Sequence, residues 1–181
     1  MMFNPFFVGV LGSLVLLLGA AWPAKKIKIP RKSFKNWCFL IGSLVMFIYS
    51  YLNYISGGSV FYVLLQLLTN SSSLFLIFNL NRSISKKLVY LISASLIFTS
   101  FYLMETYDTL YFIIGLTFIA IGYVTLSGTF KRNLYLFVGS VLISVFSYFE
   151  GNAVFFWLNV FFAVFALYHM IKLKYETNRN S

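Results

Sequence analysis

Hydrophobic residues in this chain come in long runs, with no alternation of period two and only a weak period of 3.6, and short polar stretches break them at intervals of about 20 residues. Runs of that length are what one crossing of a bilayer's hydrocarbon requires. Seven segments can be placed: roughly 4–23, 37–55, 59–79, 88–104, 109–127, 133–149 and 152–172. They nearly exhaust the 181 residues. The connections are too short for a soluble domain, and the remainder is a polar tail, KYETNRNS, over 174–181. The expected fold is therefore all-α: a seven-helix polytopic membrane protein in one transmembrane domain.

Composition agrees, with 60% hydrophobic residues and only 10% charged, outside the range of a soluble domain of this size. The first run could be taken for a signal peptide. No basic residue precedes it and KKIKIPRK follows it, so it reads as a retained helix.

Charge supplies an orientation. Lys25, Lys26, Lys28, Arg31, Lys32 and Lys35 follow the first segment; Arg82, Lys86 and Lys87 the third; Lys131 and Arg132 the fifth; Lys172, Lys174 and Arg179 the seventh. That accounts for all 14 basic residues, while Glu105, Asp108 and Glu150 occupy the opposite connections. Cytoplasmic loops collect Lys and Arg, so the N-terminus is expected outside and the C-terminus in the cytoplasm. The net charge of +10 then reflects topology and attraction to anionic lipid. Membrane lipid is the expected partner; a neutral solute and a homo-oligomer are open beside it, and nucleic acid is not expected.

An internal repeat is visible. LIGSLVMFIYSY (residues 40–51) and FVGSVLISVFSY (residues 137–148) share Gly42/Gly139, Ser43/Ser140, Ser50/Ser147 and Tyr51/Tyr148 at an offset of 97. GSVFYVLLQ (58–66) then lies over GNAVFFWLN (151–159) at an offset of 93, with Gln66 opposite Asn159, each amide eight residues after a glycine. Segments one to three (about 4–79) thus correspond to five to seven (about 109–173), with segment four (about 88–104) as the linker. Both triplets start outside, which implies parallel repeats.

WPAKKIKIPRKS (22–33) and the aromatic-rich stretch from Phe146 to Glu176, with its short turn, mid-helix Asn159 and basic exit, resemble the corresponding parts of SWEET and other PQ-loop proteins. The chain is similar in length and helix count to the bacterial YgjV-type inner-membrane family, and PnuC-like vitamin carriers share the architecture. The resemblance implies a three-one-three carrier fold with a hinge at Pro23. Ala24 stands where those proteins carry Gln, and segment five has no proline, so the implied hinge rests on Pro23.

The third segment carries amides and hydroxyls at its middle. Gln66, Thr69, Asn70 and Ser73 share one helical face, with Ser71 and Ser72 off it. Ser43, Ser50 and Asn53 add to this from the second segment, Ser140, Ser144 and Ser147 from the sixth, and Asn159 above Ala163 and Ala166 from the seventh. Polar groups in hydrocarbon need partners. One reading joins these faces into a central site between the triplets for an uncharged polar solute, lined by Gln66, Asn70, Ser73, Asn159, Ser43, Ser50, Ser140 and Ser147, with aromatic walls from Tyr49, Tyr62, Phe156 and Trp157. The triplets would then rock about it as a facilitative carrier. The other reading makes them dry interhelical contacts in a non-transporting interaction or protective protein.

Trp22, Trp37 and Tyr107 read as interface anchors, Cys38 as a small apolar residue, and His169 as a structural residue or a proton-coupling group. No segment contains an internal carboxylate, and there is no phosphate-binding glycine loop, HExxH or CxxC. Catalytic residues, metal and cofactor are therefore not expected, and an intramembrane enzyme ranks last.

The charge asymmetry makes a direct prediction. Single cysteines introduced near Lys28 and Lys86 should be labelled only from the cytoplasmic side, and one near Asp108 only from outside; external labelling near Lys86 would remove the three-one-three arrangement.

Overall fold

The computed structural model describes residues 4–22, 30–78, 81–126 and 128–179, the side chains of Arg82 and residues 177–179 excepted. It is all-α, with seven helices: α1 (Pro5–Ala21), α2 (Phe34–Ile55), α3 (Phe61–Ile77), α4 (Arg82–Tyr102), α5 (Thr109–Val124), α6 (Phe130–Phe149) and α7 (Ala153–Arg179). A single 3-10 turn over Pro30–Lys32 precedes α2. Four stretches are long and apolar enough to cross a membrane: Phe34–Ile55, Ser83–Tyr102, Phe130–Phe149 and Ala153–Glu176. α1, α3 and α5 are equally apolar but run only 17, 17 and 16 residues, about 25 Å at 1.5 Å per residue.

Local chemistry sets the ends. Asn4 Oδ1 accepts the Phe6 N–H at 3.0 Å, and Pro5 occupies the first helical position, where a missing N–H costs nothing. The hydroxyls of Ser33 and Thr129 accept the N–H groups of Asn36 and Arg132 at the starts of α2 and α6; Asn152 Oδ1 accepts from Phe155 at the start of α7. α2 and α6 end alike. Gly57 (φ 91°) and Gly151 (φ 64°) adopt the left-handed conformation. Gly58 N–H and Asn152 N–H then reach back to the carbonyls of Asn53 and Ser147, and the two glycine N–H groups to Tyr54 and Tyr148. That double bond pattern is the Schellman closure. The glycine matching Gly151 is thus Gly57, one residue before the one that sequence matching selects.

Several basic residues expected in connections are helical. α4 begins at Arg82 and includes Lys86 and Lys87, and α6 includes Lys131 and Arg132 in its first turn. Cations at a helix N-terminus oppose the macrodipole, at about 0.3–1 kcal/mol each, so helix stability does not account for them. The expected polar tail is also helical, since α7 continues to Arg179. KYETNR contains no breaker, and Lys172 and Glu176 pair across one turn at 3.9 Å, an exposed contact worth a few tenths of a kcal/mol.

The chain divides into two compact units, residues 1–96 and 97–181, with the boundary inside α4. In the first, α2 packs against both α1 and α3; in the second, α6 packs against both α5 and α7. α4 buries a single stripe, Val89, Ser93, Leu96 and Ser100, and Ser93 Oγ is returned to the Val89 carbonyl at 2.6 Å.

Burial within the first unit is inverted relative to a soluble protein. α1 buries Gly9, Gly12, Leu16, Gly19 and Ala20 and exposes Phe7, Leu11, Leu14 and Leu18. Small residues face the neighbouring helix so that backbones can approach, the packing rule of helices in lipid. The notches are reciprocal: a Cβ on Gly12 would stand 2.9 Å from Met46 Cγ, and one on Gly42 2.8 Å from Leu16 Cγ. α5 and α6 use the same device. A Cβ on Gly115 would meet the Ile143 side chain at 3.0 Å, and one on Gly139 would stand 2.6 Å from Ile119 Cγ1 and 2.9 Å from the Gly115 carbonyl oxygen. Gly12, Leu16 and Gly19 in α1 are spaced as Gly115, Ile119 and Gly122 are in α5, a match the residue identities between them conceal.

These notches rank glycine substitutions. Gly139→Ala drives a methyl group into backbone and should lower stability by about 1–3 kcal/mol. Gly57→Ala meets nothing within 4 Å and bears only the left-handed conformation, about 1–2 kcal/mol. Gly139→Leu should prevent folding, whereas Gly57→Asn should be nearly neutral; thermal unfolding in detergent reads the order.

Candidate functional site

α3 holds its polar residues on its buried face. Gln66 is 3% exposed, with Asn70 and Ser73 buried on the following turns. Thr69, at the edge of the stripe, returns its hydroxyl to the Leu65 carbonyl at 3.0 Å. The two amides behave differently. Gln66 Oε1 and Asn70 Oδ1 are both shut off from solvent with no hydrogen-bond partner, as is Ser72 Oγ on the flank. A buried acceptor without a donor costs about 1–3 kcal/mol. Two of them one turn apart form a concentrated patch of unmet acceptor capacity, displayed from a single helix.

Ser43, Ser50 and Ser147 of the same expected site, and Ser144 beside them, have their donors committed elsewhere. Ser43 Oγ donates to Leu40 O at 3.0 Å and Ser50 Oγ to Met46 O at 2.7 Å; Ser144 Oγ and Ser147 Oγ donate to Val141 O and Ile143 O, each at 2.7 Å. Each hydroxyl closes on the turn before it, a local bond that adds no interhelical attraction. Ser140 is buried beside Gly139. Asn159, 4% exposed, donates from Nδ2 to the Phe155 carbonyl at 2.8 Å.

Residues of α3 and α7 that lie 93 apart in sequence are alike in burial. Tyr62 and Phe155 are both fully buried, and Gln66/Asn159, Asn70/Ala163 and Ser73/Ala166 are each buried pairs. α7 therefore presents one amide and two alanines where α3 presents two amides and a serine, so the polar chemistry is concentrated in the first unit.

Other expected residues fall outside the cluster. The Asn53 side-chain amide occupies the space a Cβ on Gly58 would need, and the backbone carbonyl of Asn53 accepts the Gly58 N–H at 2.8 Å, so Asn53 serves the α2–α3 turn. Tyr49 and Tyr62 are buried and Phe156 is half-buried, whereas Trp157 is 56% exposed and stacks edge-on against Phe156 at 5.1 Å; it forms no wall within its unit. Trp37 donates from Nε1 to the Arg31 carbonyl at 2.8 Å, Cys38 is buried against Gly19, and the His169 ring meets Tyr168 at 5.5 Å. Pro23 lies outside the described residues. Among the described residues, no three His, Cys, Asp or Glu side chains come together as metal ligands.

Arg132 is the residue that sequence reading passed over. Taken for a loop cation, it is the third residue of α6, half-buried, with Nε enclosed and unpartnered. The available signal was Thr129, which caps a helix starting at Phe130.

Comparison with family models, with curated proteins and with solved structures finds no match.

The orphaned carbonyls set a stability prediction. Asn70→Leu removes an acceptor that has no partner, so it should leave the thermal midpoint in detergent unchanged or raise it. Asn159→Leu, which removes a formed bond, should lower stability by about 0.6 kcal/mol.

Proposed function

We propose that this chain is a carrier-type membrane protein in which all seven helices cross the bilayer as two like-oriented three-helix repeats joined by α4, and that it moves an uncharged polar solute bound at Gln66 and Asn70. One observation carries the reading: two enclosed amide oxygens on adjacent turns of α3 have no partner. A dry packing contact would satisfy them from a neighbouring helix, whereas the donors of Ser43, Ser50, Ser147 and Asn159 are satisfied within their own helices. A solute bearing hydroxyl or amide N–H groups supplies the missing donors, and Ser73 extends the same face. The repeated glycine notches, the paired Schellman turns and the common burial register of α3 and α7 support the duplication. The cations at the starts of α2, α4 and α6, placed against the helix dipoles, support a cytoplasmic location for those ends.

A second reading draws on the serines. Because Ser43, Ser50 and Ser147 are satisfied within their own helices, the polar faces of α2 and α6 fit a non-transporting membrane interaction protein equally well. The amide pair separates the two readings.

The test is uptake of a panel of labelled neutral polyols, sugars and small amides into proteoliposomes. Asn70→Leu and Gln66→Leu should fold and should each reduce uptake at least about tenfold, the effect of losing roughly 1.4 kcal/mol of solute binding. Ser43→Ala should retain it. Full uptake by both amide variants, or no uptake of any solute by the wild-type protein, would favour the interaction protein.

A further inference from the structure

We propose that the start of α6 binds the phosphate of an anionic phospholipid, with Arg132 as the principal ligand and Lys131 beside it. Arg132 is half-buried in the first turn of α6, and its Nε is enclosed without a hydrogen-bond partner. Its polar neighbour is Tyr123, near the end of α5, a phenol and not a carboxylate. No carboxylate compensates it. Glu105, Asp108 and Glu150 lie in the connections at the opposite ends of these helices, and Glu176 is paired with Lys172. The helix adds to the deficit, because its N-terminal dipole is positive. The Thr129 hydroxyl is occupied, accepting the Arg132 N–H and donating to the Leu126 carbonyl at 2.7 Å. Two cations and a helix start thus converge with nothing negative among them.

The first unit meets the same problem internally. Lys35, in the first turn of α2, donates from Nζ to the Trp22 carbonyl at 3.1 Å and sits over the Phe39 ring. Arg31 donates from Nε to the Ile77 carbonyl at 3.4 Å and covers the Phe78 ring. Among the described residues Arg132 Nε has no such carbonyl, and the proposed partner comes from outside the chain.

The surroundings identify that partner as lipid. Leu126, Phe130 and Leu134 are all exposed around the two cations, so the guanidinium lies where apolar surface gives way to charge, at headgroup depth. A phospholipid fits both halves: acyl chains on Phe130 and Leu134, and a phosphate against the charges of Arg132 and Lys131.

Native mass spectrometry of the purified full-length protein tests this by comparing retention of phosphatidylglycerol and phosphatidylcholine. Wild-type protein should retain phosphatidylglycerol preferentially. Arg132→Gln should lower that retention about fivefold, Lys131→Gln less, and 10 mM inorganic phosphate should not displace the lipid. Should Arg132→Gln fail to purify, Arg132→Lys keeps the charge and loses the enclosed Nε donor, and should lower retention about twofold. Unchanged retention in the Arg132 variant that is measured, equal retention of the two lipids by wild-type protein, or displacement by free phosphate would each overturn the proposal.

Discussion

Close approach of antiparallel helices at glycine is the constraint on which each unit is built. In lipid the outside of a helix is as well solvated by acyl chains as by another helix, so apolar burial offers little drive for association, and dispersion between closely fitted surfaces must supply it. Gly12 and Gly42 open matched notches for Met46 and Leu16, and Gly115 and Gly139 do so for Ile143 and Ile119. With α1 on α2 and α5 on α6 fixed in this way, the Schellman turns at Gly57 and Gly151 bring α3 and α7 back against α2 and α6.

The polar residues then fall into two groups with different energetics. The hydroxyls of Ser43, Ser50, Ser144 and Ser147 close on carbonyls three or four residues back, so they enter hydrocarbon without needing another helix. An amide is larger, with two donors and an acceptor oxygen at its tip, and cannot be satisfied so completely by its own turn. Asn159 manages one bond of this kind, while Gln66 and Asn70 keep their oxygens unmet. The same contrast holds for cations: Lys35 and Arg31 reach nearby backbone carbonyls, and Arg132 Nε does not.

The sequence by itself determined the class, the number of helices, the one-sided placement of Lys and Arg, and the polar face of α3. These depend on run length, charge position and the helical repeat, all local properties. Gln66, Asn70, Ser73 and Asn159 were legible as buried because a polar residue inside an apolar run has few other places to go. The likeness of α1 to α5 was hidden, because it resides in glycine spacing and not in the residues between. Only the tertiary structure decided that α1 buries its glycines and exposes its leucines, that Asn53 serves a turn, that Trp157 faces outward, and that Arg132 is half-buried at the head of a helix. The physical reason is that a helix in lipid is apolar on every side, so hydrophobicity along the chain does not distinguish the face that meets another helix from the face that meets acyl chains. That choice is made by shape, and shape is fixed only when the helices are packed together.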